Sequence, residues 1–182
     1  MALRNTSMEY GWFAKWLHWL IAIGIFYLIY LGLQQAEMER GDARTAVRAT
    51  HASFALLVFA LMTVRLIWRS MNEVPAHPDG MPGWQRAMAT LVHLGLYLSV
   101  FAQLAAGAMI VATDGNRLPF FGLFSIPLPV AENHDAHEFW EEVHEVTWAI
   151  IAALIIVHVI AALYNHFALK NDVLRRMTSG VR

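Results

Sequence analysis

The chain has no cysteine among its 182 residues. That excludes disulfides, thiolate-held iron–sulfur clusters, thiolate-ligated haem and haem attached covalently through C-x-x-C-H. Charge is also scarce: only 15% of residues are Asp, Glu, Lys or Arg, against 58% hydrophobic, and the mean hydropathy is +0.45. No Gly-rich phosphate loop and no nucleophile–base constellation is present. Proline is confined to two connections, as Pro75, Pro78 and Pro82 and as Pro119, Pro127 and Pro129. The length suits one domain, read as residues 1–182.

The scarce charges are also unevenly placed. Trp16–Ala36, Ala49–Val64, Ala87–Thr113 and Val146–Leu169 contain no Asp, Glu, Lys or Arg over 21, 16, 27 and 24 residues. About 20 apolar residues cross the hydrocarbon core of a bilayer as a helix. Three runs meet that length, and the second does so when extended past Arg65 through Trp68. The pattern predicts an all-α membrane protein, a four-helix transmembrane bundle with helices at about 10–35, 45–69, 84–113 and 134–169. The first run is too long for a cleavable signal peptide, and no small-residue cleavage site follows it. Trp12, Trp16, Trp19, Trp68, Trp84, Trp140 and Trp148 fall near helix ends, as an interfacial aromatic belt does.

An even number of spans puts both termini on one side. That side carries nine Lys and Arg against four acids, a formal +5; the other carries four Arg against ten acids, a formal −6. The positive-inside rule therefore predicts cytoplasmic N- and C-termini. The long outer connection, Asp114–Glu132, is expected to lack regular structure and to fold back on the membrane interface, because its prolines forbid a helix. Asn133 is the expected N-cap of helix 4.

Nine histidines remain to be explained. Ionisable groups inside a membrane are costly and are functional candidates by default. For a lone ring the simpler explanation is a helix–helix hydrogen bond, but several at matching depths weaken it. By topology His51 and His144 lie at an outer level, and His18 and His158 at an inner level, each pair drawn from two helices. His144 and His158 are fourteen residues apart on helix 4. That is about 21 Å of rise and close to four whole turns, so both lie on one stripe. Two histidines on opposite sides of one metal fit haem iron in the core of a bundle. Zinc needs four ligands at one spot, and only the outer level, with His137 and Glu141 near His144, offers extra groups.

The same fourteen-residue interval leads from His18 to Gly32, from His93 to Gly107 and from His51 to Arg65. The glycines would admit a flat macrocycle at the outer level. Arg65 would meet a haem propionate at the inner one. His93 has two readings, a replacement ligand or a hydrogen-bond partner of a propionate or quinone, and the second is preferred. His166 is read as interfacial, His77 as a loop residue, and His134 and His137 as solvated or as contacts for a partner or metal. A histidine ladder carrying metal ions or protons, and a purely structural anchor, remain open at this point.

"WLHWLIA" (16–22), "THASFALLVFALMTVRLIWR" (50–69), "HLGLYLSVFAQLAAGAMI" (93–110) and "VHEVTWAIIAALIIVHVIAALYNHF" (143–167), in that order, resemble the bacterial cytochrome b561 family over nearly the whole chain. The resemblance implies two non-covalent b-type haems with bis-histidine iron, and electron transfer between a quinone such as ubiquinone and a partner at the bacterial inner membrane. Its ligand pattern falls on His18, His51, His144 and His158, with Arg65 and His93 also in place. It implies either a stand-alone oxidoreductase, including one that oxidises superoxide and reduces ubiquinone, or the membrane cytochrome subunit of a larger dehydrogenase. It also hints at a periplasmic polyisoprenoid-binding protein as partner, and at no nucleic acid. The acidic outer segment 132–145 opposes superoxide, because an anion is steered by positive charge. Arg40, Arg44, Arg48 and Arg117 are the groups that could offset it locally.

Overall fold

Inside hydrocarbon a backbone must satisfy its own hydrogen bonds, and the charge-free runs can do so only as helices. In the computed structural model, which describes residues 2–78 and 80–180, they are helical. Asp79 and Arg182, both part of the charge count, lie outside the described residues. Four long helices, α1 (Trp12–Glu37), α2 (Asp42–Ser70), α3 (Gly83–Thr113) and α4 (His134–Phe167), are each long and apolar enough to cross a membrane. Their ends differ from the sequence expectation by three residues or fewer. The shortest, with 26 residues, spans about 39 Å at about 1.5 Å per residue, more than the ~30 Å core. Ile23, Leu98, Ile156 and Ile160 are each at least 59% exposed, as suits helices whose outward faces meet lipid.

The helix ends have local causes. α1 starts at Trp12 rather than Tyr10 because residues before it fold across its first turn. Ala2 O accepts from Trp12 N–H at 3.0 Å, and Asn5 Oδ1 accepts from Gly11 N–H at 3.0 Å. α4 begins as expected: Asn133 Oδ1 accepts from Ala136 N–H at 2.8 Å, an N-cap with Asp135 in the first turn. A short helix, α5 (Val173–Met177), follows α4; the sequence reading had no helix there.

The chain divides into two compact units, each containing part of every long helix. The first comprises Met1–Trp19, Thr63–Val100 and Ala149–Arg182. In it Phe13 packs edge-on against Trp68 (centroids 4.5 Å), and the Arg65 guanidinium donates to Ala14 O at 2.9 Å. Trp19 Nε1 donates to Met177 O at 3.1 Å, which ties α5 to α1. The Arg176 guanidinium donates to Ala76 O. Lys15 is buried, with Glu9 at 3.7 Å.

The second unit comprises Leu20–Met62 and Phe101–Trp148. Here α1 and α2 approach closely at Gly24, where an added Cβ would stand 2.7 Å from Val58 Cγ2. The outer connection is not structureless, contrary to the expectation. Strands β1 (Leu118–Phe120) and β2 (Phe124–Ile126) form an antiparallel hairpin in the register Leu118–Ile126, Pro119–Ser125 and Phe120–Phe124. Phe121 and Gly122 turn the chain at positive φ, 49° and 72°. Ser53 of α2 anchors it: its Oγ accepts from Phe121 N–H at 2.9 Å and lies 3.1 Å from Pro119 O. Its single proton serves either that carbonyl or Ala49 O, at 2.8 Å. Three-residue strands carry almost no periodic signal, and the anchor lies more than sixty residues away in sequence, so local pattern could not show them.

Two outcomes follow from this packing. Gly24→Ala should cost about 1–3 kcal/mol by overpacking against Val58, read as a lower unfolding temperature in detergent. The Gly24→Ala/Val58→Ala double variant should be more stable than the two single effects added together, and strict additivity would contradict the contact. Ser53→Ala leaves the Phe121 N–H without its partner, at about 1–3 kcal/mol, and should speed proteolysis within residues 118–126; unchanged cleavage would sink the anchoring role.

Candidate functional site

Each unit holds one pair of histidine rings from different helices. In the first unit, His18 of α1 faces His158 of α4 with ring centroids 6.2 Å apart and planes at 64°. In the second, His51 of α2 faces His144 of α4 at 6.4 Å and 60°. These separations invite comparison with the width of a metal site. A first-row metal–imidazole bond is about 2 Å, and a five-membered ring with ~1.33 Å bonds has a radius of about 1.1 Å. Two imidazoles on opposite sides of one metal therefore stand about 6.2 Å apart between centroids. Both pairs have that width.

A third ring enters the first unit. His93 of α3 lies 5.3 Å from His158, at 65°. That gap is about 1 Å short of what a shared metal needs, so His93 would have to move to replace His18. His93 is instead a neighbour on the flank of the pair. Arg65 of α2 reaches α1 one turn before His18, where its guanidinium donates to Ala14 O at 2.9 Å, a partner the sequence reading did not foresee.

In the second unit, both predicted glycines lie beside the histidine rings. An added Cβ at Gly32 would stand 3.7 Å from His51 Cε1, and one at Gly107 would stand 3.6 Å from His144 Nε2 and Cδ2. Any larger side chain would enter the space beside the rings. The outer level does not gather extra ligands: among the described residues, no group of three or more His, Cys, Asp or Glu could hold a metal ion. His137 is not solvated as expected. Its Nδ1 lies 3.1 Å from Ile110 O, its Nε2 lies 3.3 Å from Glu141, and its side chain is 18% exposed. His134 is solvated, paired loosely with Glu138.

The residues thus offer two imidazoles across a metal-wide gap, and nothing in the described chain completes a coordination shell around either. That donor set fits a metal whose other ligands come from a planar macrocycle. The chain matches the family described as prokaryotic cytochrome b561 over residues 9–180. It belongs to that family. It is similar to two proteins of Escherichia coli (strain K12): "Cytochrome b561 homolog 2", 30% identical over 179 residues, covering 97% of this chain and 95% of that protein, and "Cytochrome b561 homolog 1", 31% identical over 170 residues, covering 89% and 92%. Membership makes it a multi-pass membrane protein of haem-dependent electron transfer, with haem b the implied cofactor.

Sequence reasoning missed Trp68 and Tyr97, whose indole N–H and hydroxyl are buried without partners. A signal existed. Trp68 and Arg69 follow Arg65 at i+3 and i+4, and Tyr97 follows His93 at i+4, so each shares a helix face with a residue already singled out. Trp68 had been read as a member of the interfacial belt only.

For this cytochrome b561 family member, Gly107 offers a graded test. Gly107→Ala places its Cβ at ordinary contact and should keep haem content near normal. Gly107→Leu should push the His144 ring aside and lower haem per chain, measured by pyridine haemochrome against protein mass. Equal haem content in the two variants would show that the glycine does not border the cofactor.

Proposed function

We propose that the chain is a di-haem b-type cytochrome of the bacterial inner membrane, a single domain over residues 1–182 with both termini in the cytoplasm. It transfers electrons between a quinone, such as ubiquinone, and a second redox partner. His18 with His158, and His51 with His144, would hold the iron of two non-covalent haems. The observation that carries this is the pair of ring separations, 6.2 and 6.4 Å, each the width of a metal between two imidazoles. When bound, haem supplies one-electron chemistry at an iron whose potential its surroundings tune.

The side chains have separable roles in this reading. The four histidines would hold iron from α1, α2 and α4, each on a stretch of helix that continues past it in both directions. Gly32 and Gly107 keep side chains out of the space beside the His51–His144 pair. His93 borders the other pair, and Arg65, on Ala14 O one turn before His18, joins it as a group available to a propionate or quinone. The excess of Lys and Arg on the terminal side supports the orientation.

The second redox partner is best read as a protein with a cationic surface, as in a larger dehydrogenase assembly, rather than as superoxide. Glu138, Glu141, Glu142 and Glu145 are exposed at the start of α4, and the outer side carries the formal −6. That field repels an anion and steers a cationic partner. Arg117 donates to Ser125 O at 3.3 Å within the hairpin region, which commits it to the loop. A polyisoprenoid-binding protein is one partner of periplasmic type to test.

Purified protein should show a b-type α-band in its reduced-minus-oxidised spectrum and two haems per chain. His18→Gly and His51→Gly should each remove one haem and leave the other. Absence of the band would return the histidine-ladder transporter to first place, and loss of both haems from either substitution would sink the two-level assignment.

A further inference from the structure

A small cavity of about 20 Å³ lies in the first unit, bordered by Tyr10, Arg65, Trp68, Arg69, Tyr97 and Asn5, among others. Its lining is chemically one-sided. Arg65 and Arg69 bring two cations, and neither forms an ion pair among the described residues. The Tyr97 hydroxyl and Trp68 Nε1 are buried and have no hydrogen-bond partner. Asn5 is already committed: its Nδ2 donates to Glu73 O, and its Oδ1 accepts from Gly11 N–H. No Asp or Glu is among the lining residues. Leaving a buried donor unmet costs about 1–3 kcal/mol, more beside a charge. Two such donors and two guanidiniums converging on one space call for an anionic acceptor.

A water needs at least about 10–15 Å³, so 20 Å³ accommodates one water or the head of one carboxylate. The position chooses between sources. Tyr97 stands one helical turn from His93, whose ring is 5.3 Å from His158, and Arg65 donates to Ala14 O at 2.9 Å, one turn before His18 on α1. The indole of Trp68, which lines the cavity, packs edge-on against Phe13.

We infer that Tyr97 and Trp68, with Arg65 and Arg69, form a cradle for one propionate carboxylate of the haem at the His18–His158 pair. This rests on the di-haem reading above, and it assigns to Tyr97 and Trp68 a positioning role. Hydrogen bonds and cations on a propionate offset its negative charge, which otherwise stabilises ferric iron. The cradle therefore raises the potential of that haem relative to the same site without it.

The test uses full-length haem-loaded protein carrying Tyr97→Phe or Trp68→Phe. Both substitutions keep ring packing and remove only a donor. Each should lower the reduced-to-oxidised ratio of one haem at fixed potential by roughly tenfold, about 59 mV for a one-electron couple, and leave the other haem unmoved. The affected haem is identified as the one lost in His18→Gly. Resonance Raman should show a shift of its propionate-bending band. An unchanged band with two haems still bound means the cavity holds only water, and overturns the cradle while leaving the ligand assignment intact. A shift confined to the haem lost in His51→Gly also overturns it. Wild-type protein without haem would instead overturn the di-haem reading itself.

Discussion

In the proposed di-haem reading, the rest of the structure serves to hold two imidazole rings from different helices a fixed distance apart within a membrane-spanning bundle. For one metal to bridge them, the ring centroids must stand about 6.2 Å apart. Loops cannot deliver that in a bilayer, because their backbone would be unsatisfied. Long helices can, and the observed separations of 6.2 and 6.4 Å come from side chains seated well inside α1, α2 and α4, where neither end of a helix can fray.

The rest of the packing reads as a consequence. Small residues sit where helices or rings must approach: Gly24 against Val58, Gly95 against Leu154, Gly32 and Gly107 beside histidines. Large apolar side chains face outward, where lipid makes their exposure costless. Few residues are fully buried, so the hydrophobic effect alone does not set the helix positions. Close van der Waals contact and a small number of polar ties do so, as in membrane bundles generally. Ser53 and Arg65 show how such ties work. Each reaches a backbone group of a segment far away in sequence, Phe121 N–H and Ala14 O respectively, and so fixes an element that apolar packing would leave free to slide.

The polar groups without partners carry a complementary meaning. Trp68 Nε1 and the Tyr97 hydroxyl are groups whose burial is unfavourable in the bare chain. A cytochrome of this family receives a large amphiphilic cofactor, and such groups make sense as the chain's contribution to a network completed by it. Folding and cofactor binding are then coupled in the usual thermodynamic sense: whatever binds the folded state alone stabilises it.

The sequence by itself determined the class, the four spans and the residues worth watching. Spans are legible because one-dimensional runs of apolar residues map directly onto bilayer thickness, and the fourteen-residue interval is legible because a helix converts sequence spacing into rise and angle. Depth along the helices paired His51 with His144 and His18 with His158, but only the tertiary structure decided that the rings of each pair approach to 6.4 and 6.2 Å respectively, since helix rotation is not written along any single helix. It set His93 beside His158 at a distance too short for a shared metal, moved His137 from solvent to the Ile110 carbonyl, and gave the proline-rich connection a hairpin pinned by Ser53. It alone gathered Tyr97 and Trp68 with Arg65 and Arg69 around one cavity. Local pattern reports what lies on one turn or one face, whereas a site made by α2, α3 and the chain before α1 exists only once those segments meet.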